Sequence, residues 1–303
     1  MTRPHPARVA ARALVAGLAA LGLALVSPAL ARSGEGASPT AVAQRVLTLA
    51  PHATEMVFAA GGGERIVGTV RYSDHPPAAT RLPRVGDVWQ IDLESLLALR
   101  PDLIVAWLPG PVLPLQPVLS GAGIPVVFTA PVKLADIPAD IEKLGALMGT
   151  ADVANATARR LRERLAALAA RYRDREPVSV FVQAGTHPLY TLTDTHIVGD
   201  ALRLCGARNV FDGAGPIAPM VDIEAVIAQA PQAILVGVTT GKSEALAYWQ
   251  RYAEALPAVQ NNHVFALDAD TLYRPGPRLV DAAEAICELI DGVRQDARAG
   301  QAP

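Results

Sequence analysis

The chain has 303 residues, 51% of them hydrophobic and 18% charged, with 27 Lys and Arg against 29 Asp and Glu. That length supports more than one sizeable core, so one or two globular domains are expected. The near balance of charge excludes a strong field for nucleic acid or an anionic membrane surface.

The first residues read as an export signal. Arg3, Arg8 and Arg12 form a basic start, an apolar run covers 13–26, and Ala29-Leu30-Ala31 supplies a small-x-small cleavage site. The apolar run is shorter than the roughly 20 residues a spanning helix needs. Residues 1–31 are therefore expected to be removed, leaving a soluble exported protein that begins at Arg32. After a leader containing Gly, Ser and Pro, short runs rich in Val, Ile and Leu alternate with helical patterns. Strands are expected at 46–49, 66–70, 103–107 and 126–129, then at 178–183, 233–236 and 264–267. Such alternation argues for parallel α/β units.

Between the two groups of strands, 151–172 is rich in Ala, Leu and Arg and lacks Gly and Pro, with Leu161, Leu165 and Leu168 at helical spacing. A helix of that length reaches roughly 33 Å and is flanked by the stop signals Gly149 and Pro177. It reads as a rigid spacer. The expected architecture is two similar α/β lobes with mostly parallel sheets, 42–150 and 177–297, bridged by a connecting helix in 151–176.

An internal repeat supports two related lobes. Ile91-Asp92-Leu93-Glu94-Ser95-Leu96-Leu97-Ala98, followed by Pro101 and a strand, matches Val221-Asp222-Ile223-Glu224-Ala225-Val226-Ile227-Ala228, followed by Pro231 and a strand. The offset is 130 throughout (222 − 92 and 231 − 101). Each Asp is placed to cap a short helix that the Pro ends.

Aromatic residues make up only 5% of the chain, so their placement is informative. Phe128, Phe181 and Phe265 fall inside expected strands, the usual core use. Tyr72, Trp89 and Trp107 fall at or beyond strand carboxyl ends in the first half, the edge where open α/β sheets bind ligands. The corresponding edge of the second half carries Tyr190 and the run Asp270, Thr271, Leu272, Tyr273 and Arg274. An aromatic wall facing a carboxylate and a guanidinium suits a large, mostly apolar ligand with polar edges. Trp249, inside a helical stretch, reads as packing.

Catalytic signatures are poor. The chain has no Walker loop, no GxSxG elbow and no His-Glu-x-x-His pair. Gly61-Gly62-Gly63 reads as a helix stop and turn. His52, His75, His187, His196 and His263 are scattered and read as capping, turn or surface residues, and the prolines after Asp74-His75 suggest a rigid loop. Cys205 and Cys287 are the only cysteines. An oxidising compartment favours their bonding, with two buried free thiols as the alternative, because spacing alone does not show that they meet.

These residues together resemble the periplasmic cobalamin binders, within the class of ABC-importer binding proteins whose two lobes are joined by one long helix. The likeness runs from Arg45-Val46-Leu47-Thr48-Leu49-Ala50-Pro51 and Ala53-Thr54-Glu55 through Tyr72-Ser73-Asp74-His75-Pro76-Pro77, Trp89-Gln90 and Ala106-Trp107. It resumes at Phe181-Val182-Gln183 and Leu204-Cys205-Gly206 and ends in Asp270, Arg274, Pro277-Arg278 and Cys287. The resemblance implies a corrinoid as transported cargo, with no cofactor and no catalysis. It implies a monomer serving a membrane-embedded ABC permease dimer. It also implies ligand contacts from Tyr72, Trp89, Trp107, Tyr190, Asp270 and Arg274, permease docking through Glu94 and Glu224, and a Cys205–Cys287 disulfide. Ala218 departs from the family, which has a cleft tryptophan there, and Tyr190 stands for a Phe. Two alternatives remain at this point. One is a haem or ferric-siderophore binder of the same class using Tyr72, Tyr273 or His52 at the iron. The other is a secreted metal-dependent hydrolase using His52, Asp74 and His75.

Overall fold

The computed structural model describes residues 42–213 and 215–300, so the expected leader at 1–31 lies outside the described residues. Three-residue β1 (Val46–Thr48) opens the fold and leads directly into α1 (Pro51–Ala59), whose Pro51 lies in the first turn, where a missing N–H costs nothing. There follow β2 (Ile66–Gly68), α2 (Leu93–Ala98), β3 (Leu103–Ala106), α3 (Pro109–Val112), α4 (Gln116–Gly121) and β4 (Val126–Phe128). The four strands form one parallel sheet in the order β2-β1-β3-β4. Both its faces are covered. Val46, Leu103 and Val105 pack on one side, and Leu47, Ile104 and Ala106 on the other. Continuous apolar runs are the expected sequence of such doubly covered strands.

Two helices then cross to the second lobe, α5 (Asp136–Met148) and α6 (Ala151–Tyr172). Helix α6 has the bounds that the sequence pattern gives. It is more than a spacer, because it packs along α5 and buries Ala154 and Leu161 in a core shared by both lobes. The approach is close enough to demand Gly145, where an added Cβ would lie 2.2 Å from that of Ala154.

The second lobe contains β5 (Val178–Thr186), β6 (Leu189–Thr191), α7 (Ile197–Leu204), β7 (Ala207–Asn209), α8 (Ile223–Gln229) and β8 (Ala233–Val238). It continues with α9 (Lys242–Gln250), α10 (Pro257–Gln260), β9 (Val264–Asp268), α11 (Ala269–Tyr273) and α12 (Arg278–Ala299). Its sheet runs β6-β5-β8-β9, with β7 also paired to β5, and is parallel except for the β5–β6 hairpin. Strands β6 and β7 are absent from the sequence reading. Trp249 is fully buried against Phe181 and donates its indole N–H to Gln183 Oε1 at 2.6 Å, the packing role expected of it.

The repeat survives in detail. Asp92 accepts from Ser95 N–H at 3.1 Å and Asp222 from Ala225 N–H at 2.7 Å. Leu96 and Val226 fill the two cores at the same register, while Glu94 and Glu224 are both exposed. Arg100 and Ala230, again 130 apart, both take positive φ (46° and 43°) where each helix stops before its proline. A left-handed residue satisfies helix-end carbonyls, and finding two non-glycines there at one offset shows that the backbone path itself is repeated.

Cys205 and Cys287 form a disulfide, with Cα atoms 4.7 Å apart and 82 positions of separation. It ties the end of α7 to α12, beside Arg294, whose buried guanidinium donates to the carbonyls of Glu176, Cys205 and Gly206. Closing a loop of this size stabilises by up to about 4.5 kcal/mol through the unfolded chain. Denaturant unfolding of the oxidised protein against the Cys205→Ser/Cys287→Ser double variant should show a loss of that order, and equal midpoints would refute the contribution.

Candidate ligand cleft

The carboxyl ends of both sheets, and the segments leaving them, carry the candidate residues. Tyr72 follows β2 in a tight turn and takes φ 64°, with 73% of its surface exposed. A conformation so uncommon for a bulky residue persists only where its surroundings enforce it. The enforcing group lies underneath, where the buried hydroxyls of Thr48, Thr54, Thr69 and Ser73 bond to one another at 2.7 to 2.8 Å. This network joins the ends of β1 and β2 to α1. Arg84 adds donations to the carbonyls of Val70 and Ser73 at 3.3 and 3.0 Å.

Trp89 is 68% exposed on a second pinned turn. Asp87 Oδ1 accepts the N–H groups of Trp89 and Gln90, each at 2.9 Å, and these donations hold its carboxyl below the usual range. Trp107, one residue past β3, is half-buried and meets the ring of His52 edge-on at 5.6 Å. His52 departs from its expected capping, turn or surface role. It is buried in the first turn of α1, at the crevice where β1 and β3 diverge, with Nε2 3.0 Å from the carbonyl of Thr129. A carbonyl only accepts, so Nε2 carries the proton. Burial pushes the His52 pKa down to about 4, with the Arg274 charge adding to that direction.

The polar part of the cleft is an ion cluster joining the lobes, most of which the sequence reading missed. Arg278, at the start of α12, makes a bidentate pair with Glu55 of α1 at 2.7 and 3.0 Å. Arg274 reaches Asp74 at 2.8 Å and Asp270 at 2.7 Å, and lies 3.7 Å from Glu55. Burial would raise the Asp74 carboxyl, but the hydrogen bond and charge of Arg274 outweigh it and hold it below its ordinary value. The expected rigid loop at Asp74-His75 is therefore also an electrostatic contact between lobes. Gly276 brings the chain between the two arginines against His52 and Glu55.

Of the expected contacts on α11, Leu272 needs correction, while Thr271 and Tyr273 commit their hydroxyls to structural hydrogen bonds. Leu272 is fully buried in the core and faces no ligand. Tyr273 donates its hydroxyl to the carbonyl of Gln183 and accepts from Gly237 N–H at 2.9 Å, so it bridges the ends of β5 and β8. Thr271 uses its hydroxyl and its N–H on Asp268 Oδ1, both at 2.7 Å, to start α11. A single helical turn gives the sequence too little periodicity to tell which side meets the core. Asp270, by contrast, is half-exposed beside Arg274, and Tyr190 is exposed on β6. His52, Asp74 and His75 do not converge. Among the described residues no group of three or more His, Cys, Asp or Glu side chains is placed to hold a metal, and no helix is long and apolar enough to cross a membrane.

A family model described as periplasmic binding protein matches residues 46–271, and the chain belongs to that family. Within it, the chain is 36% identical over 253 residues to a Vitamin B12-binding protein of Vibrio vulnificus (strain CMCP6), a match covering 83% of this chain and 92% of the relative. Among solved structures, the periplasmic Vitamin B12 binding protein BtuF of Vibrio cholerae matches with a TM-score of 0.76 and 35% identity, over 83% of this chain and 98% of that one. A periplasmic heme binding protein from Pseudomonas aeruginosa matches with a TM-score of 0.68 and 26% identity, over 81% and 92%.

The buried neutral His52 makes stability depend on pH. Its pKa is about 4 folded and 6.5 in its ordinary state, so the unfolded chain binds the extra proton between those values. Stability from this group is therefore present above pH 6.5 and is lost as pH falls towards 4. The loss reaches about 3 kcal/mol. His52→Gln should unfold with a flatter dependence over that window, measured by denaturant titration at pH 7, 5.5 and 4, and parallel profiles would refute the assignment.

Proposed function

We propose that this protein captures cobalamin or a related corrinoid in the cleft between its lobes and delivers it, chemically unaltered, to an ABC importer. The observation that carries this reading is one edge bearing flat, exposed aromatics on immobilised turns beside a cluster of guanidiniums and carboxylates. A corrinoid is a large macrocycle with apolar faces and a rim of polar amides, and such an edge complements both parts. The similarity to proteins named for vitamin B12 binding supports the same ligand. In this reading residues 42–150 and 177–297 are the two lobes, 151–176 joins them, and 1–31 is a leader removed on export. Tyr72, Trp89, Trp107 and Tyr190 pack against the ligand, Asp270 and Arg274 supply polar contacts, and the working unit is a monomer. The corrinoid is cargo and not a cofactor. Of the three iron contacts a haem reading would use, the Tyr273 hydroxyl is spent on two strand ends and His52 is held by Thr129, which leaves exposed Tyr72 alone.

Delivery needs recognition outside the cleft. Exposed Glu94 and Glu224 sit at equivalent positions on α2 and α8, so the two lobes present a pseudo-symmetric acidic pair suited to a permease dimer with basic contacts.

Calorimetric titration with cyanocobalamin, cobinamide and haemin in parallel tests the ligand. The corrinoids should bind and haemin should not, and haemin binding without cobalamin binding would overturn the reading. Tyr72→Ala and Trp107→Ala should each weaken cobalamin binding roughly thirtyfold, as loss of a buried aromatic contact of about 2 kcal/mol requires. Unchanged thermal unfolding of the Tyr72 variant is expected from its exposure. For delivery, Glu94→Lys/Glu224→Lys should abolish cobalamin uptake by cells while leaving the dissociation constant within about twofold. Equal loss of binding and uptake would place these residues in the cleft or core instead.

A further inference from the structure

One second-lobe residue outside the sequence reading stands at the same edge. Met220 is 65% exposed, although the backbone carrying it is firmly held. Thr193 N–H donates to the carbonyl of Ile217 at 3.0 Å, Thr191 N–H to Pro219 at 3.1 Å, and Val221 N–H to Leu189 at 3.0 Å. The segment thus lies along β6 as an irregular antiparallel partner, with Met220 opposite Tyr190. Cross-strand partners point to the same face of a sheet, so Met220 projects where Tyr190 does.

That face can be identified from alternation. Leu189 packs with Phe181, Val226 and Trp249 in the core on the α8 and α9 side. Its neighbour Tyr190 must then point to the other face, where Val180 and Val182 enter the core shared with the first lobe. Tyr190 and Met220 therefore present adjacent apolar surface at the ligand edge on the first-lobe side, and apolar surface on a tethered backbone is a mark of a binding site.

We propose that Met220 completes the ligand-contacting wall of the second lobe beside Tyr190, and that its oxidation weakens ligand capture. The inference rests on the corrinoid reading above. A flexible thioether moulds itself to an irregular apolar macrocycle, whereas its sulfoxide is polar and stiffer. With hydrogen peroxide as oxidant the chemistry balances. The sulfur lone pair attacks one peroxide oxygen, the O–O bond breaks, the S–O bond forms and water leaves, so the sulfur is oxidised and the peroxide reduced. Met56 and Met148 are fully buried, which leaves Met220 as the exposed methionine among the described residues.

The test uses the exported full-length protein. Cyanocobalamin is titrated first against the untreated protein, and failure to bind overturns the corrinoid reading and this inference with it. Given binding, peptide-level mass spectrometry follows sulfoxide formation at Met220 in hydrogen peroxide with and without saturating cyanocobalamin. Ligand should slow that oxidation at least about fivefold, and the oxidised protein should bind about tenfold more weakly. Met220→Leu should keep near wild-type affinity and lose its sensitivity to peroxide, while Met220→Ala should bind more weakly with unchanged thermal unfolding. Equal oxidation rates with and without ligand, or wild-type affinity in Met220→Ala, would overturn the inference while leaving the corrinoid reading intact.

Discussion

The pair between Glu55 and Arg278 holds the two ligand edges in register. Glu55 is in α1, immediately after the first strand of the first sheet, and Arg278 opens α12, the second helix after the last strand of the second. Their carboxylate and guanidinium meet in the bidentate geometry that fixes orientation as well as distance. The Glu55 side chain is almost wholly removed from water, so its charge is tolerable only with its partners present. Breaking a buried pair on one side typically costs about 3–5 kcal/mol, because the remaining charge is stranded. Asp74, Asp270 and Arg274 extend the cluster towards solvent, where the charges are weaker in energy and more available to a ligand.

This polar clasp works with an apolar seam. One core runs from β1 and α1 through α5 and α6 to α7, α11 and α12, so the lobes share an interior along the connecting helix. The N–H of Leu134 in the first lobe also donates to Asp200 of α7 at 2.8 Å. Burial is non-directional and sets how close the lobes lie, whereas the ion pairs set which residues face one another. Arg164 fastens α6 further to Glu284 and Asp281 of α12, although these groups are exposed enough that their contribution is small.

Much of the framework was legible before any coordinates. The long strands are apolar runs bounded by turn residues, α6 is an uninterrupted 22-residue helical pattern, and the repeat exposed the kinship of the lobes. Strands β6 and β7 escaped because Leu189-Tyr190-Thr191 and Ala207-Arg208-Asn209 lack the apolar run that marks the equally short β1, β2 and β4, and take their order from β5. At the site, scarce aromatics at strand ends pointed to Tyr72, Trp89 and Trp107. The partners of Arg274 and Arg278 were hidden because they lie 200 and 223 positions away, a separation that no local pattern encodes. Leu272 was misassigned for the complementary reason, since a five-residue helix shows its buried side only once it has been packed. His52 was misread because its neighbours, Thr129 and Trp107, arrive from other strands.

Exposed apolar side chains normally collapse onto the nearest core, and three different devices prevent it here. Tyr72 is held out by a buried hydroxyl network, Trp89 by a carboxylate that closes its turn, and Met220 by hydrogen bonds to β6. Each fixes the backbone while leaving the side chain in water. A ligand that covers these side chains gains the burial of apolar area without having to order the loops that carry them, and ordering costs are the main drain on affinity in flexible sites. Trp107 and Tyr273 sit one layer down on the same edges, at the crevices where strand order reverses. Tyr273 spends its hydroxyl on two strand ends and supports the floor, whereas Trp107 rests edge-on against His52 and keeps part of its ring exposed.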